Sequence, residues 1–128
     1  MKIKITSVFV NDQEKALKFY TEILGFVKKT DVSAGPYRWL TVVSPEQQDG
    51  IELLLEPNEN PAAKQYQEAI SQQGIPATQF YVEEIQKEYE RLKGLGVAFT
   101  MEPTKVTKST IAIFNDTCGN LIQLVQLD

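Results

Sequence analysis

Residues 3–10, IKITSVFV, alternate with the two-residue period of a strand. Ile3, Ile5, Ser7 and Phe9 fall on one side, and Lys4, Thr6, Val8 and Val10 on the other. The period then lengthens. Ala16, Leu17, Tyr20, Ile23 and Leu24 recur at the spacing of one helix face, behind a cap at Asn11 or Asp12 and ahead of a left-handed stop at Gly25. PYRWLTVV (36–43) and GIELLLE (50–56) return to strand character around the turn-rich SPEQQD, and a further short strand is predicted over 26–30. In 57–76 Asn60 caps a connecting helix, Pro61 takes its first position, and Gly74 with Pro76 closes it. The opening order then returns. A strand over 77–82 leads to a helix over 84–93, with Ile85, Tyr89 and Leu92 inward and Gly94 and Gly96 as stops. Strands follow near 97–101, 109–114 and 120–126.

The recurrence is a repeat. NDQEKALKFYTEILGF (11–26) and EEIQKEYERLKGLGV (83–97) match at an offset of 72 residues. Val10 falls on Val82, Asp12 on Glu84, Lys15 on Lys87 and Leu17 on Tyr89, with a one-residue slip before Gly25 and Gly96. The pattern predicts an α+β fold of two tandem β-α-β-β-β units: unit one over 1–57, the connecting helix over 58–76, and unit two over 77–128. A half-chain of roughly 60 residues buries too little surface to be comfortable alone, so the units are expected to form a single domain.

Charge and composition narrow the function. The 128 residues carry 13 Lys and Arg against 17 Asp and Glu, a net charge of −4, and the cations are scattered. That pattern offers no footprint for a phosphate backbone, so nucleic acid is not an expected partner. No apolar run approaches the roughly 20 residues that cross a bilayer, and the alternating start lacks a small-residue cleavage site. A cytoplasmic protein with no membrane partner is expected. The lone Cys118, in DTCGN, has no His to activate it and is read as a turn residue.

Three segments carry a family resemblance: VNDQEKALKFYTEILGF, GIELLLEP and FNDTCGNLIQLVQ. The pattern V-x-D-x-x-x-[AS]-x-x-FY-x-x-x-LG stands from Val10 to Gly25, and D-x-x-GN-x-[IL] from Asp116 to Ile122. Together they resemble the vicinal oxygen chelate superfamily, which includes glyoxalase I, extradiol dioxygenases and bleomycin-resistance proteins. The resemblance implies strands curved as a mixed sheet around a concave cleft, and often a homodimer. In metal-dependent members four side chains, commonly His or Gln and Glu, converge there on an ion. Carried over by position, these are Ile5, Glu52, Ala77 and Gln123. Ile5 and Ala77 offer no electron pair and the chain has no His. A divalent metal cofactor is therefore not expected, and the chain is similar to the bleomycin-resistance branch, which binds its ligand without a metal.

Strand parity assigns Ser7, Phe9, Trp39, Thr41, Glu52, Gln79, Tyr81 and Gln123 to the ligand face, a mostly apolar surface with a few polar groups. The expected ligand is a small organic molecule, aromatic or amide-bearing. For Phe9, Trp39 and Tyr81, core packing is the favoured alternative to ligand stacking. Glu52 is the candidate general acid or base for the alternative reading, a lyase or dioxygenase-like enzyme with or without a non-standard metal site. Gln79, Gln123 or Arg38 would otherwise satisfy its carboxylate.

Overall fold

The computed structural model describes residues 1–128, the whole chain. It divides into two compact units, Met1–Gln65 and Tyr66–Asp128. The expected β-α-β-β-β order recurs in each, with its own four-stranded mixed sheet.

The first unit holds β1 (Ile5–Val10), α1 (Gln13–Lys18), β2 (Val27–Ala34), β3 (Tyr37–Val43) and β4 (Glu52–Pro57), in the sheet order β1-β4-β3-β2. The outer β1 runs parallel to β4, while β2, β3 and β4 pair antiparallel. The carboxylate of Asp12 caps α1 by accepting from the backbone of Lys15 at 3.0 Å. A π-helical turn, Phe19–Ile23, extends that helix: the Leu24 amide donates five residues back to the Phe19 carbonyl at 3.0 Å. Thr21 Oγ1 returns to the Leu17 carbonyl at 2.6 Å, a local bond that competes with the regular ladder. Gly25, at φ +92, then stops the helix. The adjacent Phe19 and Tyr20 are both buried, and with Ala16 they join Val8, Val10, Leu40, Val42 and Leu55 in the core.

Two strands run longer than expected: the one predicted near 97–101 spans Phe99–Val106 in the second unit, and the other lies in the first. The short strand predicted over 26–30 is β2, eight residues long, with a pairing irregularity between Lys28 and Thr30. It continues because Gly35, at φ +63, and Pro36 form a two-residue turn that lets Ala34 pair with Tyr37.

The second unit holds β5 (Thr78–Tyr81), α3 (Ile85–Gly94), β6 (Phe99–Val106), β7 (Ser109–Asn115) and β8 (Leu121–Leu127), ordered β5-β8-β7-β6 with β5 parallel to β8. The connecting helix α2 (Pro61–Gln72) crosses the boundary between the units, and Asn60 Oδ1 accepts from the Ala62 amide at its start. Ile85 and Leu92 of α3 are buried, and Tyr89 packs edge-on against Phe99 at 4.7 Å. Gly94, expected as a stop, is the last residue of α3; the positive φ belongs to Gly96.

The turn between β7 and β8 holds a buried polar cluster. Asp116 Oδ1 accepts from the amides of Cys118 at 2.7 Å and Asn120 at 2.9 Å, and Oδ2 accepts from Asn120 Nδ2 at 2.8 Å. Gln67 of α2 donates from Nε2 to the Cys118 carbonyl and to Asn120 Oδ1. Gly119 has φ +104, and a Cβ there would lie 2.7 Å from Gln67 Nε2. The glycine of the D-x-x-GN pattern thus answers both a backbone conformation and a close approach. Cys118 is buried within this turn, in keeping with its reading as a turn residue.

Candidate functional site

In the first unit, Ser7, Phe9, Trp39, Thr41 and Glu52 come from three adjoining strands. Ser7 pairs with Leu54, and Leu54 with Thr41, so one transverse row crosses the sheet on the parity of the predicted face. Thr41 is fully buried, and its hydroxyl donates to Glu52 Oε1 at 2.8 Å. Lys4 Nζ lies 3.9 Å from Glu52 Oε2 and also donates to the carbonyls of Asp49 and Gly50. The Glu52 side chain is only 13% exposed, and its carboxylate is held from both sides. Its partners are Thr41 and Lys4. Parity alone put Lys4 on the opposite face from the ligand, and missed the reach of its long side chain from the strand edge.

Arg38, one of the three partners the sequence offered for Glu52, is committed elsewhere. Its guanidinium donates to both carboxylate oxygens of Asp31, at 3.0 and 2.7 Å, and to Glu14 at 2.9 Å. The hydrogen bonds from Arg38 hold the Asp31 carboxyl below its ordinary range, and the two carboxylates raise the Arg38 pKa. Gln13 completes the contact between α1 and the sheet. Its Nε2 donates to the carbonyls of Arg38 and Leu55, while its Oε1 accepts from the Arg38 amide. This clasp was missed because Gln13, Glu14, Asp31 and Arg38 look like ordinary surface residues until β2 and β3 are paired in register.

In the second unit, Gln79 and Gln123 are direct partners across the parallel β5–β8 ladder. Gln123 Nε2 donates to Gln79 Oε1 at 2.8 Å. They line an open hollow of about 380 Å³ with Pro76 and Thr78, two residues that strand parity did not single out. Tyr81 lies two residues beyond Gln79 on the same strand face, opposite Val125. Tyr81 is 59% exposed and Trp39 43% exposed, which corrects the expectation that plain core packing accounts for them. Phe9 is partly buried.

The positions carried over as metal ligands make a poor donor set. Ile5 and Glu52 are direct partners across β1 and β4, but Gln123 faces Gln79, while the Ala77 amide donates to the Leu121 carbonyl. Two of the four side chains lack a lone pair, and the other two already hold protein partners. No three of Asp, Glu or Cys gather where an ion would bind. These residues do not fit the family's metal.

A model of the glyoxalase/bleomycin resistance protein/dioxygenase superfamily matches residues 2–124. Among curated proteins, the uncharacterized protein YurT of Bacillus subtilis (strain 168) is 66% identical over 126 residues, covering 98% of this chain and 99% of YurT. Among solved structures, UcmS2 is 32% identical with a TM-score of 0.84, over 98% of this chain and 97% of that one. TnmS3, an antibiotic binding protein from Streptomyces sp. CB03234, is 26% identical with a TM-score of 0.77, over 100% of this chain and 97% of its own. No helix here is long and apolar enough to cross a membrane.

Proposed function

The chain belongs to the glyoxalase/bleomycin resistance protein/dioxygenase superfamily, and on that premise we propose that it binds a small organic molecule without a metal. The observation that carries this reading is the donor set at Ile5, Glu52, Ala77 and Gln123: two apolar side chains, one carboxylate bonded to Thr41, and one amide bonded to Gln79. A divalent ion needs several free, convergent donors to displace its water. Within the second unit, the exposed Tyr81 and the hollow beside Gln79 support an organic ligand instead, since such sites combine aromatic surface with a few polar groups. The likeness to an antibiotic binding protein points the same way.

The test is one series on chelator-treated protein, with Zn, Ni, Mn and Fe(II) by calorimetry and a panel of antibiotics, bleomycin included, by thermal denaturation. The metals should give no stoichiometric heat, and at least one antibiotic should raise the melting temperature. A ligand at a hundredfold excess over its Kd adds about 2.7 kcal/mol to the folded state. Stoichiometric metal binding at micromolar affinity or tighter would overturn the reading.

A second reading, acid–base catalysis at Glu52, has one observation in its favour: the carboxylate is oriented by Thr41 and sits near the Lys4 ammonium, as a proton-transfer group requires. On the binding reading, Glu52→Gln leaves ligand affinity within about threefold, because an amide keeps the Thr41 hydrogen bond. If the protein proves to turn over a carbonyl substrate, and Glu52→Gln abolishes turnover while the fold persists, the enzyme reading replaces it.

A further inference from the structure

The amide pair of the second unit has a pattern that selects a ligand. One hydrogen bond, Gln123 Nε2 to Gln79 Oε1, joins the side chains, leaving Gln79 Nε2 and Gln123 Oε1 with no protein partner. The pair thus offers one donor end and one acceptor end. Exchanging nitrogen and oxygen in both amides gives the same outward pattern with the roles reversed. The parallel ladder sets the two residues at one register position, so each fixes the other. The hollow they line with Pro76 and Thr78 carries no ionisable side chain and is large enough for a bicyclic molecule. Tyr81 stands on the same strand face and is exposed.

We propose that Gln79 and Gln123 form a recognition site for the amide edge of a neutral, planar ligand, a lactam or carboxamide presenting a carbonyl to one glutamine and an N–H to the other. This deepens the binding reading above and rests on it. A ligand with only acceptors leaves the glutamine oxygen unmatched, and one with only donors leaves the amide nitrogen unmatched; each mismatch weakens binding by roughly tenfold. A charged group gains no counter-charge from the four lining residues. Neutral amides are therefore preferred over carboxylates or amines of the same shape.

The probe is 2-quinolinone, compared with N-methyl-2-quinolinone, which keeps the ring and carbonyl but loses the donor. With protein labelled with nitrogen-15, 2-quinolinone should shift the side-chain amide resonances of Gln79 and Gln123 and bind about tenfold more tightly than its methylated analogue. Gln79→Leu, at an exposed position, should weaken 2-quinolinone and remove most of that preference while amide spectra elsewhere stay unchanged. Equal affinity for the two probes, shifts confined to other residues, or no binding of either overturns the proposal. Any of these combined with antibiotic binding in the thermal series leaves the general binding reading standing. Stoichiometric metal binding there would remove both.

Discussion

Replacing Asp116 with Ala should lower the free energy of unfolding by about 3–5 kcal/mol. The side chain is fully buried and accepts three hydrogen bonds, from the Cys118 amide, the Asn120 amide and Asn120 Nδ2. Alanine strands these donors away from water, and each orphaned group costs about 1–3 kcal/mol. The loss should fall short of the sum because the turn relaxes. Thr117, a non-glycine residue at φ +63, keeps the bond from its amide to Asn115 Oδ1 at 2.7 Å, which limits how far the turn opens. Asn should cost less, about 1–2 kcal/mol, since its oxygen still serves two amides and only the contact with Asn120 Nδ2 turns repulsive. Urea denaturation of the two variants, with exposed Glu59→Ala as reference, gives the comparison. An Asp116→Ala loss no larger than that of Glu59→Ala would mean that the turn stands without the Asp116 carboxylate, on Gln67, Asn115 and the backbone bond from Asp116 to Asn120.

The same turn shows how far the sequence could be read. Its D-x-x-GN pattern carried the family resemblance, and the structure supplies the reason for each fixed residue: Asp116 accepts, Gly119 makes room, and Asn120 closes the cluster on Gln67. Gln67 itself was invisible, because a glutamine on a polar helix announces no partner 53 residues away. Element order was legible from hydrophobic periodicity in both units. The lengths of β2 and β6 were not, although the Gly35-Pro36 step in SAGPY signals the hairpin that extends β2.

The candidate site was less legible than the fold. Parity placed Glu52 and Thr41 near each other and Gln79 beside Gln123, because a two-residue period fixes which neighbours share a face. It could not tell which long side chain a carboxylate would choose. Arg38, one of three partners offered for Glu52, went to Asp31 and Glu14 because the β2–β3 register brings a bidentate partner within reach, and Lys4 sits beside Glu52 instead. Periodicity is local, whereas such choices depend on register across strands distant in sequence.

Tyr20→Ala should cost about 3–5 kcal/mol, comparable in size but acting on the first unit. Tyr20 is fully buried, stacks on Phe26 at 6.4 Å with rings 21° apart, and meets the edge of Phe19 at 5.7 Å. It lies in the π-helical turn, whose five-residue hydrogen bond lets Phe19 and Tyr20 both point inward although they are consecutive. A cavity of ring size cannot collapse easily there: the helix is pinned at one end by the Asp12 cap and the Gln13 clasp, and stopped at the other by Gly25. Trp39, the only tryptophan, belongs to this unit and is partly exposed, so its fluorescence in urea reports the loss directly. Tyr20→Phe keeps the ring and should lose no more than about 1.5 kcal/mol, the scale of one hydrogen bond. A Tyr20→Ala loss equally small would show that the helix adjusts to fill the space, and that Tyr20 does not anchor the sheet carrying Thr41 and Glu52.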